Sequence, residues 1–369
     1  MLTPHHSNSR EFEHQEARAN AEPSAPYVSV VIPAHNEEKY ISNCIASVFR
    51  TNWPRENLEI LVIDHCSIDS TPARARAAHA DVLHISSGKI GAVRNVGLAA
   101  AKCEFVAYVD GDCTVPPTWL RTAIDLLESD ASIGAVGGPC LSPAAGTWVE
   151  RSLAPTTTGP TSVKRVKTVA TSSFIARTAL LRETGGFDET LASGEDDDMS
   201  NRIRAQGLAL VSASDCHIVH HGYPKTWWDV FRKEIWHGSH HLEVRTEFDL
   251  TLILTFVFLL ASLALPFLLL GVLFAPVPKT FYALLGGLLL QLAPPSLFAA
   301  KRIRQCPRNW RMVIPLLAVG YAYFSGHGVG VLAGLWRQAN VRRQQRASSP
   351  GTDHRPSEKV PKTSGKAGL

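Results

Sequence analysis

One stretch decides the fold, FVAYVDGD at residues 105–112. Its first five residues are apolar or aromatic without polar alternation, which predicts a short strand buried on both faces of a sheet. Two carboxylates follow, Asp110 and Asp112, and Gly111 between them lets the backbone approach closely. Because ligands of open α/β sheets bind beyond the carboxyl ends of strands, we expect a binding edge here. The carboxylate oxygens suit one hard divalent cation, Mg2+ or Mn2+, of the kind that bridges phosphates.

Upstream of this strand, short apolar runs alternate with stretches of helical pattern. The predicted strands cover residues 28–32, 58–63 and 82–85, and the predicted helices cover residues 37–49, 71–79 and 91–102. Alternating strands and helices predict an α/β fold with a doubly wound, mostly parallel sheet. Asp64 follows the second strand, so its carboxylate is expected at the same edge as Asp110.

A run of four acids, Glu195-Asp196-Asp197-Asp198, precedes a predicted helix at residues 199–206. Like charges this close repel one another and resist packing together. Two interpretations stay open: acids at a helix start that complement the helix dipole, or a general base beside a cationic site. In the second interpretation, one carboxylate takes the proton from an acceptor hydroxyl.

Basic residues and histidines supply further candidates. Lys89 and Arg94 flank two glycines and could neutralise a diphosphate, although a solvated basic patch explains them equally well. The turn at residues 33–38 sits at a strand end, where it could shape a nucleotide pocket. Histidine clusters at residues 217–221 and 237–241 match no standard zinc spacing, so a single histidine completing the metal sphere of Asp112 is the better interpretation.

Composition limits the class of protein. The 369 residues are 45% hydrophobic and 19% charged, as in a globular protein with added apolar segments. A net charge of +4 is too small to argue for nucleic acid. The seven cysteines are scattered, which argues against a disulfide framework and favours the reducing, cytosolic side. Residues 1–26 are polar with no apolar core, so we expect a disordered tail rather than a secretory signal.

Composition changes near Leu250, where long apolar segments begin. The segments at residues 251–275, 280–300 and 312–336 are each long enough to cross a hydrocarbon core of roughly 30 Å. The alternative, buried helices of a large soluble core, rarely produces three such segments in succession. Their basic connector, residues 301–311, is expected in the cytosol. Residues 325–328, SGHG, could break the third segment, which would make it re-entrant or interfacial rather than spanning.

These boundaries give four parts. A catalytic domain is expected at residues 27–248, after the tail at residues 1–26. Two to three transmembrane helices follow at residues 249–337, and a basic disordered tail follows at residues 338–369.

Taken in order, the motifs resemble those of glycosyltransferase family 2 over residues 27–241. The matching stretches are the opening strand at residues 28–37, the second-strand motif at 64–71, residues 94–98, 110–112, GGFDE at 185–189, and the pair at 195–196. The resemblance implies a GT-A fold, in which a Rossmann-like nucleotide half with a mixed sheet merges with an acceptor half. It also implies inversion at the anomeric carbon by single displacement.

The resemblance further implies roles for individual residues. On the donor side, Asp64 would contact the nucleobase or ribose, and the nucleoside pocket would be lined by Pro33, Ala34 and Glu37. Lys89 and Arg94 would face the diphosphate, which Asp110 and Asp112 would hold through Mg2+ or Mn2+. Asp196 would be the base, with Glu195 beside it on the acceptor side, and His220 or His221 would complete the metal sphere. The implied partners are a nucleotide-diphosphate sugar and a lipid-linked or glycan acceptor, used by a multi-pass protein of the plasma membrane with a cytosolic catalytic domain.

Two departures from the family pattern keep other functions open. His65 stands where a second aspartate is common, and it is the only support for a catalytically degenerate binding or assembly subunit. The Q-x-x-R-W motif of processive synthases is missing, which favours transfer of one sugar per encounter. Trp236 could still border the acceptor, or it could be an interfacial aromatic. A small membrane transporter is a third reading, but the charged first part has no transporter pattern.

Overall fold

A mixed eight-stranded sheet organises the first part of the chain in the computed structural model, which describes residues 25–244, 250–275, 277–305 and 310–348. The strands in chain order are β1 (Val28–Ala34), β2 (Leu58–His65), β3 (Asp81–Ile85), β4 (Phe105–Tyr108), β5 (Cys113–Thr114), β6 (Ile133–Gly137), β7 (Cys140–Leu141), β8 (Val163–Val166), β9 (Phe174–Arg177), β10 (Ala209–Ala213) and β11 (Ile218–His220). The large sheet has the order β3-β2-β1-β4-β9-β6-β10-β8, and β5-β11-β7 form a small second sheet.

The parallel half of the large sheet follows the prediction. Strand β1 is buried at every position and pairs in parallel with both β2 and β4. Apolar side chains at all positions suit a strand covered on both faces. The other half departs from the mostly parallel sheet that the alternation of strands and helices predicts, because β9 runs antiparallel between β4 and β6, and β8 is antiparallel to β10. It confirms the mixed sheet that the family resemblance implies. Strands β8 and β9 have only four residues each, too short for a clear sequence pattern.

Helices cover both faces of this sheet. In chain order the described helices are α1 (Ile41–Phe49), α2 (Thr71–Ala77), α3 (Ile90–Ala100), α4 (Trp119–Ser129), α5 (Trp148–Leu153), α6 (Thr178–Glu183), α7 (Glu195–Ala205), α8 (Trp227–Val244), α9 (Leu250–Phe274), α10 (Pro278–Gln305) and α11 (Val313–Ser348). One core cluster joins β1 to α1 and α4, and the other joins β1 to α3 and α7. Alternate residues of β1, such as Val30 and Val31, enter opposite clusters, as strand geometry requires.

The three C-terminal helices α9, α10 and α11 are each long and apolar enough to cross a membrane. The predicted break at residues 325–328 is wrong, because α11 runs without interruption from Val313 to Ser348. Glycines of this helix instead allow its backbone to pack closely against α8. A Cβ at Gly326, Gly330 or Gly334 would collide with or crowd the backbone of α8. Their spacing of four places them on one face, where α8 lies directly against α11.

The structure describes a part of each predicted tail. Ala25 and Pro26 pack on the domain, since their carbonyl oxygens accept hydrogen bonds from Asn57 and Trp53. The predicted tail at residues 338–369 is helical as far as Ser348, because α11 continues beyond its apolar stretch. Residues 1–24 and 349–369 lie outside the described part of the chain.

Candidate active site

A cavity of about 330 Å³ opens where β1 and β4 end, and it gathers seven of the thirteen predicted site residues. We call it the donor cavity. The seven are Pro33, Ala34, Glu37, Arg94, Asp110, Asp112 and His220, and the rest of the lining is His35, His65, Ile90, Val93 and Gly111. The strands β1 and β4 are parallel neighbours, so their carboxyl ends bring these residues to one edge.

Asp112 and His220 form the centre of the cavity. The small sheet brings them together, because His220 on β11 lies opposite Cys113 on β5, directly after Asp112. His220 Nε2 lies 3.4 Å from Asp112 Oδ2. The buried Nδ1 of His220 has no hydrogen-bond partner among the described residues. A Cβ at Gly222 would collide with Asp112 Oδ2, so this glycine gives the carboxylate its room.

The donor atoms here fit a divalent cation. Ligand atoms of Asp112, Cys113 and His220 all lie within 4.8 Å of one another. Burial raises the pKa of the Cys113 thiol well above its ordinary value, and sulfur ligands suit softer metals than Mg2+ or Mn2+. Burial, followed by the charges of Asp112 and Asp110, raises the pKa of Glu37 to about 7. The crowded negative charge suits a divalent cation, and Asp112, His220 and Asp110 are the residues that would hold Mg2+ or Mn2+.

The two neighbouring histidines have different surroundings. His221 Nε2 lies 3.1 Å from Thr114 Oγ1, and the His221 ring stacks on Tyr40 with the ring centroids 6.0 Å apart. Burial lowers the pKa of His221. The structure therefore brings the imidazole of His220 to Asp112 and turns that of His221 toward Tyr40.

Arg94 connects the donor cavity to the acidic run. Its guanidinium is buried and donates from Nη1 to Glu195 Oε1 at 2.6 Å and from Nη2 to Asp110 Oδ1 at 3.3 Å. Glu195 is itself buried, and its carboxylate pairs with Arg94. It therefore does not lie on an exposed surface, where an acceptor-side residue was expected. The Nε atom of Arg94 is buried without a partner among the described residues. Arg94 thus fixes the start of α7 relative to Asp110.

Asp196 lies on the first turn of α7, beside Glu195. Burial first, and then the charges of Glu195 and Asp197, raise its pKa to about 6. Its Oδ1 accepts a hydrogen bond from the Asp197 backbone, and it lines none of the described cavities. Asp198 instead pairs with Arg202 one turn further along the helix. Among the acids of this run, Asp196 therefore has the raised pKa that suits a general base.

Three other predicted residues lie away from the donor cavity. Asp64 is buried and bonds His84 at 3.0 Å through Oδ2, whereas its Oδ1 has no partner in the described part of the chain. Lys89 donates from Nζ to the carbonyl oxygen of Thr190 at 2.6 Å, which holds it on a loop. Trp236 is about half exposed on α8, where its ring contacts those of His237 and His240.

A second cavity of about 500 Å³ adjoins the first and was not foreseen from the sequence. We call it the lateral cavity. It shares Glu37 and Asp112 with the donor cavity and is otherwise lined by Lys39, Tyr40, His221, Gly222, Tyr223, Pro224, Lys225, Asp229 and Lys233. These residues come from α1, α8 and the turn after β11, so only the tertiary fold brings them together. The lining of the lateral cavity is rich in oxygen and nitrogen atoms and includes the carboxylate of Asp112.

A strand-end carboxylate pair, a histidine beside it and a buried acidic helix start define the site of a GT-A type enzyme. The family model for glycosyl transferase family 2 matches residues 29–184. Glycosyltransferase AglE of Haloferax volcanii is 30% identical over 205 residues, which cover 52% of this chain and 67% of that protein. This chain belongs to glycosyltransferase family 2.

Other relatives match shorter shares of their own length. Poly(ribitol-phosphate) beta-N-acetylglucosaminyltransferase TarS of Staphylococcus aureus is 32% identical, with 50% of this chain and 34% of that protein covered. Among solved structures, mannosyltransferase PcManGT of Pyrobaculum calidifontis, in complex with GDP-Man and Mn2+, has a TM-score of 0.50 at 17% identity. That match covers 89% of this chain and 95% of PcManGT, and it supports the GT-A fold. The chain spans about two thirds of AglE but only about a third of TarS.

Proposed function

We propose that this chain is a metal-dependent, inverting glycosyltransferase that moves a sugar from a nucleotide diphosphate to a lipid-linked or glycan acceptor. The observation that carries the proposal is the position of Asp112. It pairs with His220 and lies on the lining shared by the donor and lateral cavities. A cation held there would contact a donor on one side while an acceptor approached from the other.

In this proposal, each residue of the site has a distinct role in binding or catalysis. Asp110, Asp112 and His220 would hold Mg2+ or Mn2+, and such a cation would supply positive charge to the leaving diphosphate. Pro33, Ala34 and Glu37 line the part of the donor cavity that takes the nucleoside. Arg94 holds Asp110 in position through the hydrogen bond that it donates to Asp110 Oδ1. Asp196 takes the proton of the attacking hydroxyl, and its pKa of about 6 leaves it ionised at neutral pH. Attack opposite the leaving group inverts the anomeric carbon.

The domain order supports a reaction at a membrane. Helices α9, α10 and α11 follow the catalytic domain, and the basic end of α10 carries Arg302 and Arg304. Basic connectors stay on the cytosolic side, so we assign the catalytic domain to the cytosolic face of the plasma membrane. A multi-pass protein with this orientation suits cell-envelope or exopolysaccharide synthesis.

The test is a screen of labelled nucleotide sugars with the full-length protein in lipid nanodiscs, with Mn2+, Mg2+ or EDTA. We expect release of nucleoside diphosphate from one donor, dependent on the added metal, and loss of release in Asp112→Asn. Asp125→Asn is the matched control, because Asp125 is an exposed carboxylate on α4 that pairs with Arg121 at 3.9 Å. Equal turnover by Asp112→Asn and Asp125→Asn would refute the assignment of the metal site.

A further inference from the structure

Three potential metal ligands of different chemical kinds meet beside the donor cavity, on Asp112, Cys113 and His220. A carboxylate oxygen of Asp112, the sulfur of Cys113 and a ring nitrogen of His220 all lie within 4.8 Å of one another. Asp112 and His220 also belong to the set that would hold Mg2+ or Mn2+, whereas Cys113 does not. The sulfur therefore adds a second set of ligands, which overlaps with the first at two residues.

The small sheet holds the thiol and the imidazole on the same side. Cys113 on β5 lies directly opposite His220 on β11 in an antiparallel pair. Directly opposite residues of such a pair point to the same face of the sheet. Cys113 is also fully buried in the core cluster that joins β1 to α1 and α4. The position of the sulfur relative to His220 is therefore set by strand pairing and by packing.

The spacing of these atoms is close to that of ligands around one ion. Sγ of Cys113 lies 3.4 Å from Asp112 Oδ1, and His220 Nε2 lies 3.4 Å from Asp112 Oδ2. Zn2+ binds sulfur at about 2.3 Å and nitrogen or oxygen at about 2.0–2.2 Å, so tetrahedral ligands are about 3.3–3.6 Å apart. The carboxylate of Asp112 thus offers one oxygen to each neighbour at the separation that a shared cation requires.

The chemical kinds of the ligands decide which cation each set prefers. Mg2+ and Mn2+ prefer oxygen ligands, which Asp110 and Asp112 supply. One thiolate, one imidazole and one carboxylate instead suit Zn2+, or Cd2+ as its softer analogue. Sites with nitrogen, oxygen and sulfur ligands also bind Zn2+ more tightly than Mn2+. The two sets therefore differ at one residue each, Asp110 for the hard cation and Cys113 for the soft one.

We propose that Asp112, Cys113 and His220 form a site for a soft divalent cation, Zn2+ or Cd2+, which excludes Mg2+ and Mn2+ when it is bound. On binding, the S–H bond of Cys113 breaks, Sγ bonds to the cation, and one proton passes to water. The hard and the soft cation share Asp112 and His220, so only one of them is held at a time. The expected consequence, inhibition of transfer, rests on the proposed function, whereas the binding of Zn2+ does not.

A purely structural role for Cys113 makes a different prediction. The thiol donates to Asp112 Oδ1 and fills the core, and serine keeps a hydrogen-bond donor at that position. If Cys113 acts only in this way, Cys113→Ser changes the affinity for all divalent cations alike or for none. A ligand role separates the cations, because only the soft cation uses the sulfur.

The first experiment titrates Cd2+ into full-length protein in detergent, after removal of metals with EDTA, and follows the ultraviolet charge-transfer absorption of the cadmium–thiolate bond. We expect one equivalent of this absorption in the parent and in Cys103→Ser, and its loss in Cys113→Ser. Cys103 is the matched control, because its thiol also lies beside a carboxylate, 4.0 Å from Glu59 Oε2, but outside the three-residue cluster. Full absorption in Cys113→Ser would overturn the proposal.

Isothermal titration with each cation then separates the two sets of ligands. Cys113→Ser should weaken Zn2+ binding by about tenfold or more and change Mn2+ binding by less than about threefold, since loss of even an outer partner of a ligand costs about 10–100-fold. His220→Ala should weaken the binding of both cations, because both sets use that residue. Equal losses for Zn2+ and Mn2+ in Cys113→Ser would show that the thiol acts only through the fold.

X-ray absorption by the parent protein loaded with one equivalent of Zn2+ requires no substitution, so it decides the question even if a variant fails to fold. We expect one sulfur neighbour at about 2.3 Å, and a shell of nitrogen and oxygen alone would overturn the proposal. In turnover with Mn2+, added Zn2+ should inhibit the parent and excess Mn2+ should relieve the inhibition. Zn2+ that binds through sulfur without inhibiting would overturn the exclusion of Mn2+. Absence of turnover in the parent would instead count against the proposed function.

Discussion

Replacing Asp196 with asparagine is expected to stabilise the protein at neutral pH and to abolish transfer. The carboxylate is held in a buried place beside two other acids, and these raise its pKa to about 6 from an ordinary value of 3.8. Asparagine removes the charge but keeps an oxygen in the position that accepts the Asp197 backbone hydrogen bond. The stability and the activity of this variant should therefore move in opposite directions.

The magnitude follows from the pKa. The pKa of Asp196 lies about two pH units above its ordinary value, and each unit is worth about 1.4 kcal/mol, so the ionised form destabilises the fold by up to about 3 kcal/mol. The folded protein holds the proton more tightly than the unfolded chain does. The penalty is therefore absent below pH 3.8, grows as the pH rises toward 6, and is fully present above it.

Thermal unfolding in EDTA, which keeps cations away from the acidic groups, measures the first effect. Asp196→Asn should melt at a higher temperature than the parent at pH 8, and the difference should shrink as the pH falls below 6. Asp198→Asn is the control, because Asp198 pairs with Arg202 at 2.6 Å. Neutralising Asp198 removes this ion pair, so the melting temperature should fall or stay unchanged rather than rise. Turnover of the parent should rise with pH through about 6, and the variant should lose on the order of 10²–10⁴-fold. An Asp196→Asn protein that melts at the parent's temperature at pH 8, or keeps the parent's turnover, would refute the reasoning.

Five further substitutions test the site. Asp112→Asn should abolish Mn2+-dependent retention of donor, measured by equilibrium dialysis with and without EDTA. His220→Ala should weaken Mn2+ binding by about 10-fold or more, whereas His221→Ala should leave it near the parent's value, and equal losses in isothermal titration would contradict the separation of the two rings. Arg94→Gln leaves a buried carboxylate without its cation and should lower the free energy of unfolding by about 3–5 kcal/mol, measured by urea titration of the solubilised protein. Gly222→Ala should displace the Asp112 carboxylate and abolish turnover, while the circular dichroism spectrum stays unchanged. Turnover equal to that of the parent would contradict this prediction, because the loop would then accommodate the methyl group without loss of activity.

Much of the donor half follows from the sequence, because its signals are local. The apolar run at residues 28–34 is a parallel strand buried on both faces, and such runs are recognisable without partners. The residues at its carboxyl end, and at that of β4, must share an edge, which is why Pro33 and Asp110 meet in the donor cavity. Their roles in binding stay predictions until a donor is tested.

Other features of the site could not be predicted from the sequence, because they depend on contacts between residues that are distant in the chain. Sequence could not separate His220 from His221, although neighbouring positions at a strand end face opposite ways once the strand is known. Lys89 was expected at the diphosphate, but the carbonyl of Thr190, distant in sequence, accepts its hydrogen bond. The uninterrupted α11 was missed because glycines that look like helix breakers alone become a contact face when α8 lies against them.

Helix α8 shows why the lateral cavity could not be predicted from the sequence. One part of it supplies Asp229 and Lys233 to the lateral cavity, while Phe231, Ile235 and Ser239 meet the glycine face of α11. Because α8 packs between the lateral cavity and α11, it fixes the position of that apolar helix relative to the cavity. Its sequence pattern shows neither partner, because the same residues would suit any amphipathic helix. The predicted donor residues thus lie at strand ends, whereas the lining of the lateral cavity depends on how α8 packs against α11.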